Sequence, residues 1–216
     1  MGSTSLEKWS TSEERAGARL VRRIMSGAVL VLIAGIVAAL LFPGGNREGP
    51  SLFARLAFNS GRYDEADKIL GDWLKSEPAS VPGHLLKGRV DVAKGRLPEA
   101  VAELRTLQSI GASREDVRLL HALISARAGR HTEAIPVLRR AFDEAASPDR
   151  QIDELLARAY LETFDLTNAA VVLDRWAGDF PDDPKPYLWR AEIHGRSGGD
   201  VSRVEQDYRD ALSRDP

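Results

Sequence analysis

The side chains best able to bind a metal or move protons are four histidines, His84, His121, His131 and His194. A zinc or acid–base site needs several such groups converging, most simply as HExxH or as a pair one helical turn apart. The four share no such pattern and fall in different helices or turns, so packing or surface roles are expected of them. Cysteine is absent, which removes disulfides, zinc–thiolate sites and a catalytic thiol. No GxGxxG or GxxxxGKS/T stretch opens a helix after a strand, and no serine sits in a nucleophile-elbow pattern. Neither catalysis nor a cofactor or metal is expected.

The elements that would position any site come next. Lys and Arg total 30 against 32 Asp and Glu, a net charge of −2. That balance excludes a general nucleic-acid binder, which needs a basic face to displace phosphate counterions. Ala, Leu, Arg, Asp and Glu dominate, a composition that favours helix. One segment stands apart. Ile24 to Phe42, "IMSGAVLVLIAGIVAALLF", carries no charge and is long enough as a helix to cross a hydrocarbon layer of about 30 Å. Arg15, Arg19, Arg22 and Arg23 precede it, while only Arg47 and Glu48 follow nearby. The positive-inside rule then places residues 1–23 in the cytoplasm as a short disordered tail and the rest on the far side. A cleaved signal peptide ending near Ala39 is the rival reading. The run continues through Leu40, Leu41 and Phe42, however, and no polar stretch follows Ala39. An uncleaved anchor is the expectation.

Beyond the linker at 43–50 the chain repeats itself. "GRYDEA" at 61–66, "GRLPEA" at 95–100 and "GRHTEA" at 129–134 are followed by "FDLTNA" at 164–169 and a looser "GGDVSRV" ending at 204. The aligned Ala66, Ala100, Ala134, Ala169 and Val204 are separated by 34, 34, 35 and 35 residues. Four residues on stand Leu70, Leu104, Leu138, Leu173 and Tyr208; seven on stand Trp73, Leu107, Ala141, Trp176 and Ala211. Twelve on stand Pro78, Ala112, Ala146, Pro181 and Pro216. Ahead of each motif a small residue recurs: Ala54, Gly88, Ala122, Ala157 and Ala191.

This period and register resemble the tetratricopeptide repeat. The resemblance covers about residues 47–216 and implies an all-α, right-handed solenoid of about five helix pairs (47–80, 81–114, 115–149, 150–183 and 184–216) after the transmembrane helix. In such a fold Gly61 ends a first helix in the left-handed region, Asp64 and Glu65 sit at the positive end of the second, and Ala66 lets the two cross closely. Phe164 replaces the turn glycine in the fourth unit, where the first helix is expected to run differently. The fifth unit, with Gly198 and Gly199, seats an extra residue in its turn.

The resemblance also implies a concave groove lined by the first helices. Transferring its register puts Arg55, Arg89 and Arg158 at one groove position and Arg127 and Arg196 at another. Phe58, Leu85, Val92, Leu119, Leu123, Leu161 and Leu188 add apolar surface, and Glu154, Glu162 and Glu192 interrupt the positive charge. The Lys/Asn clamp by which some co-chaperones of this family hold acidic C-termini is absent, its places being taken by Ser51, Arg55, Leu85 and Arg89. Non-catalytic binding of a protein or peptide at a bacterial inner membrane is therefore expected, in a chaperone-like or biogenesis role. Two alternatives stand beside it: a self-assembling scaffold joined through the C-terminal end of the solenoid, and a regulatory module of an envelope or signalling enzyme.

Overall fold

A computed structural model describes residues 49–196 and 201–214. Among these the chain is entirely helical, with ten α-helices: α1 (Gly49–Asn59), α2 (Tyr63–Ser76), α3 (Val81–Ala93), α4 (Leu97–Ser109), α5 (Arg114–Arg127), α6 (His131–Glu144), α7 (Arg150–Glu162), α8 (Leu166–Asp179), α9 (Lys185–Arg196) and α10 (Val201–Leu212). None of them is long and apolar enough to cross a membrane. The apolar run 24–42 and the double glycine at 198–199 lie outside the described residues.

Helices pair in sequence order, and each second helix also packs on the first helix of the next unit, α2 on α3, α4 on α5, α6 on α7 and α8 on α9. The first helices α3, α5 and α7 additionally contact one another directly. Their layer is thus the shorter one, and the array curves with the first helices inside. Small residues set this spacing: Ala54, Ala122, Ala157 and Ala191 are buried, as are Ala66, Ala100, Ala134 and Ala169 opposite them. Gly88 is the extreme case, since a Cβ there would lie 2.6 Å from Leu120 Cδ2 and 3.2 Å from Glu103 Cβ.

Between the helices of a unit the chain turns by one device. At Gly61, Gly95 and Gly129 φ is +72°, +74° and +81°. The amide after each glycine donates to a carbonyl five residues back, as in Arg62 N to Ala57 O and Arg96 N to Asp91 O at 2.9 and 2.8 Å. Phe164 corrects the expectation drawn from its side chain. It adopts φ +59°, and Asp165 N still donates to Tyr160 O at 2.9 Å. The fourth turn is the same turn, at a cost of about 1–2 kcal/mol for a left-handed residue with a Cβ, and its ring projects into solvent.

The apolar core forms two main clusters. Ala54, Phe58, Leu70, Trp73, Leu86 and Val90 make the first, and residues from Val92 to Ile193 the second. An ionic network joins α2 to α3 and the following turn. Asp91, fully buried, faces Lys87 Nζ at 2.8 Å and Arg96, which also reaches Asp67 at 2.7 Å. Burial opposes ionisation of Asp67, but Arg96, Lys94 and Lys87 outweigh it and hold its pKa down to about 2. At the far end Trp176, fully buried, donates its indole N–H to Asp183 at 3.2 Å, and Asp183 also accepts from the amide of Lys185 at the start of α9. In the fifth unit Tyr208, at the position that holds leucine in the other four, is half exposed and shares one side of α10 with Val201 and Leu212.

Candidate functional site on the inner face of the first helices

Arg89 projects from α3 into the centre of the inner face. Its Nη2 lies 2.7 Å from both carboxylate oxygens of Asp149, and its Nε donates to Gln151 Oε1 at 2.9 Å. Gln151 returns a bond from Nε2 to the Arg89 carbonyl at 2.8 Å. The Phe58 ring from α1 sits with its centroid 4.8 Å from the guanidinium, close enough for a cation–π contact. Asp149 is also the N-cap of α7, accepting from the amides of Gln151 and Ile152 at 3.2 and 3.3 Å. A charged strap therefore runs from the second unit to the fourth, past α5.

Beside the strap is a cavity of about 110 Å³ lined by residues of all five units, among them Tyr63, Val92, Arg127, Gln151, Glu154 and Lys185. Lys185 Nζ holds Glu154 at 2.9 Å. Burial raises the pKa of the Tyr63 phenol, and the Glu154 carboxylate adds to the effect, so the hydroxyl stays protonated as a donor at neutral pH. Arg127 makes no ion pair with another described residue, which leaves the cavity with one uncompensated positive charge.

The other expected groove residues divide. Arg55 and Arg158 are exposed and, like Arg127, have no ion-pair partner among the described residues. Arg196 pairs with Glu192 at 2.6 Å and lies 5.6 Å from the Phe164 ring centroid. Leu85 is half-buried against the core and Leu188 is exposed. Leu119 belongs to a different cavity of about 280 Å³, with Pro136, Val137 and Arg140. Val92 and Leu161 belong to the buried core. Leu123 is fully enclosed, and Phe58 is buried under Arg89. Neither offers side-chain surface beyond what the core and the strap already use.

Asp149, Gln151, Tyr63 and Lys185 were not legible as inner-face residues. Gln151 carried a usable signal, because it occupies a first-helix groove position in the same register that located the arginines. Asp149 carried only its capping pattern before α7.

Two of the histidines make polar contacts between helices or with a neighbouring turn, and His121 is exposed. His84 bridges Glu103 at 2.6 Å and the Pro78 carbonyl at 2.9 Å, and His194 meets Asp207 at 2.9 Å. Among the described residues no group of His, Asp and Glu is arranged to hold a metal ion.

Comparison with known proteins bears on the fold. Solved structures similar in fold include a tetratricopeptide repeat protein from Parabacteroides merdae, 17% identical with a TM-score of 0.57, covering 90% of this chain and 76% of its own. TTC0263 from Thermus thermophilus is 18% identical with a TM-score of 0.56, over 79% of this chain and 92% of that one. YrrB, described as a TPR protein with an unusual peptide-binding site, is 14% identical with a TM-score of 0.50, over 77% and 85%. No curated protein matches the chain in sequence. A family model for the tetratricopeptide repeat matches residues 52–115 and 119–184, so the chain belongs to the tetratricopeptide repeat family.

Proposed function

We propose that this chain is a non-catalytic adaptor that holds a protein or peptide on the inner face of its solenoid, tethered to a bacterial inner membrane by residues 24–42. The observation that carries the reading is the set Arg55, Arg127 and Arg158. These three cations stand on first helices, Arg127 at the cavity, without an ion-pair partner among the described residues, whereas Arg89, Arg196 and Lys185 are neutralised from within. Arginine forks match carboxylates and backbone carbonyls, the groups a bound polypeptide brings. Family membership and a fold like that of YrrB, described as having a peptide-binding site, support the same reading. The anchor, with residues 1–23 cytoplasmic and the solenoid on the opposite side, raises the local concentration of a membrane-bound client.

Charge reversal tests it. A partner copurifying with the full chain from its host should be lost when Arg55, Arg127 and Arg158 become Glu, and kept when the exposed second-helix residues Lys68 and Arg105 do. Equal loss from both sets would refute the inner face as the site. A second reading, self-association, is supported by the apolar stripe Val201, Tyr208 and Leu212 on α10. Sedimentation of the chain across a concentration series decides it, with Val201→Lys expected to abolish any dimer.

A further inference from the structure

We propose that the Arg89 site is a carboxylate receptor occupied in the ligand-free chain by the protein's own Asp149, which thereby competes with an acidic polypeptide for the inner face. The inference rests on the groove reading above and adds how that site is regulated.

Four features make Arg89 a built receptor. The guanidinium is held on one side by Gln151 and covered on another by the Phe58 ring. It already binds a carboxylate through Nη2, at 2.7 Å to each oxygen. Its side chain is only 15% exposed, so the pair is weakly screened. Finally, its present occupant is not a local one: it stands at the N-terminus of α7, 60 residues along the chain.

Asp149 is also an occupant able to leave. Its carboxylate caps α7 through the amides of Gln151 and Ile152, so withdrawal from Arg89 does not strand it without partners. An incoming carboxylate would take its place on Arg89, and the number of charge-assisted bonds is conserved. The partner class follows from charge. Arg127 lines the cavity beside the strap, Arg55 and Arg158 stand on the first helices α1 and α7, and none of the three has an ion-pair partner among the described residues, a surplus of cations that suits a segment with several carboxylates. Releasing the strap also frees the inner face between the second and fourth units, which an extended segment needs in order to lie across it.

The test uses the full chain and a fluorescein-labelled hexapeptide of alternating leucine and aspartate with a free C-terminus, followed by fluorescence anisotropy. The control is the same peptide with asparagine for aspartate and an amidated end. Asp149→Asn keeps the cap, since asparagine caps as well as aspartate, and removes the competing charge. The acidic peptide should bind D149N about 10- to 100-fold more tightly than the unaltered chain, the worth of one charged hydrogen-bonded contact. Adding Arg89→Gln should return the affinity to the starting level, and the neutral peptide should show no difference among the three. If the acidic peptide binds and D149N is no tighter, Asp149 is not the competitor and the proposal falls while the groove reading stands. If the gain survives Arg89→Gln, the receptor is not Arg89. If no variant binds the acidic peptide, the proposal falls and the arginine-based groove reading falls with it.

Discussion

Asp153 gives the sharpest quantitative prediction. It lies in the first turn of α7 with no exposed surface, and neither carboxylate oxygen has a hydrogen-bond partner among the described residues. The nearest cation, Arg175, stands 3.8 Å away and is engaged elsewhere, donating to the Phe142 carbonyl at 2.6 Å and stacking on the Phe142 ring. Burial raises the Asp153 pKa, Arg175 only partly opposes it, and Asp149 and Asp179 push it further, to about 7 from 3.8. The folded state therefore binds this proton more tightly than the unfolded chain. Stability from this group is complete below pH 4, declines as pH rises, and is fully lost above about 7. Each pH unit in that window corresponds to about 1.4 kcal/mol, so from pH 5 to pH 8 the ceiling is about 3 kcal/mol. Asp153→Asn cannot titrate. Urea denaturation followed by tryptophan fluorescence should show the unaltered chain losing about 1–3 kcal/mol relative to D153N between those pH values. Taking the difference cancels the titrating groups that do not interact with Asp153. Parallel stability curves for the two proteins would refute the reasoning, as would a loss that runs the other way.

Further predictions follow from particular contacts. Gly88→Ala should cost about 1–3 kcal/mol, because its Cβ would stand 2.6 Å from the buried Leu120 side chain; denaturant midpoints measure this. Asp91→Ala should cost about 3–5 kcal/mol by leaving Lys87 and Arg96 without their buried partner, with hydrogen exchange rising first in α2 and α3. Asp183→Ala should cost about 1–3 kcal/mol and shift the fluorescence of Trp176, whose indole N–H loses its acceptor. At position 164 glycine should be more stable than valine by about 1 kcal/mol or more, since a β-branched residue suits a left-handed turn least.

What was legible in the chain was whatever a single unit decides locally. The positive-φ glycines, the small residues where helices cross and the acidic first turn of α2 all act within one helix pair, so their spacing survives in one dimension. Phe164 misled because residue type argues for a different helix end, whereas the backbone bonds of the turn and the neighbouring units outweigh a local strain of about 1–2 kcal/mol. The inner face was legible only in part. Register located Arg89, Arg127 and Arg158 on first helices, but it did not reveal that Leu123 is sealed by the close approach of α3, α5 and α7. Nor did it reveal the meeting of Arg89 with Asp149. That contact depends on curvature accumulated over several units, which no individual repeat encodes.

The most direct test of the inner-face account is a photo-crosslinking amino acid at Arg127 in the native host, with another at Arg105 on a second helix. Mass spectrometry would identify the adducts. The account predicts one discrete non-self partner at Arg127, diminished when Arg55 and Arg158 are replaced by glutamine and absent at Arg105. A partner captured equally at both positions, or only at Arg105, would contradict it.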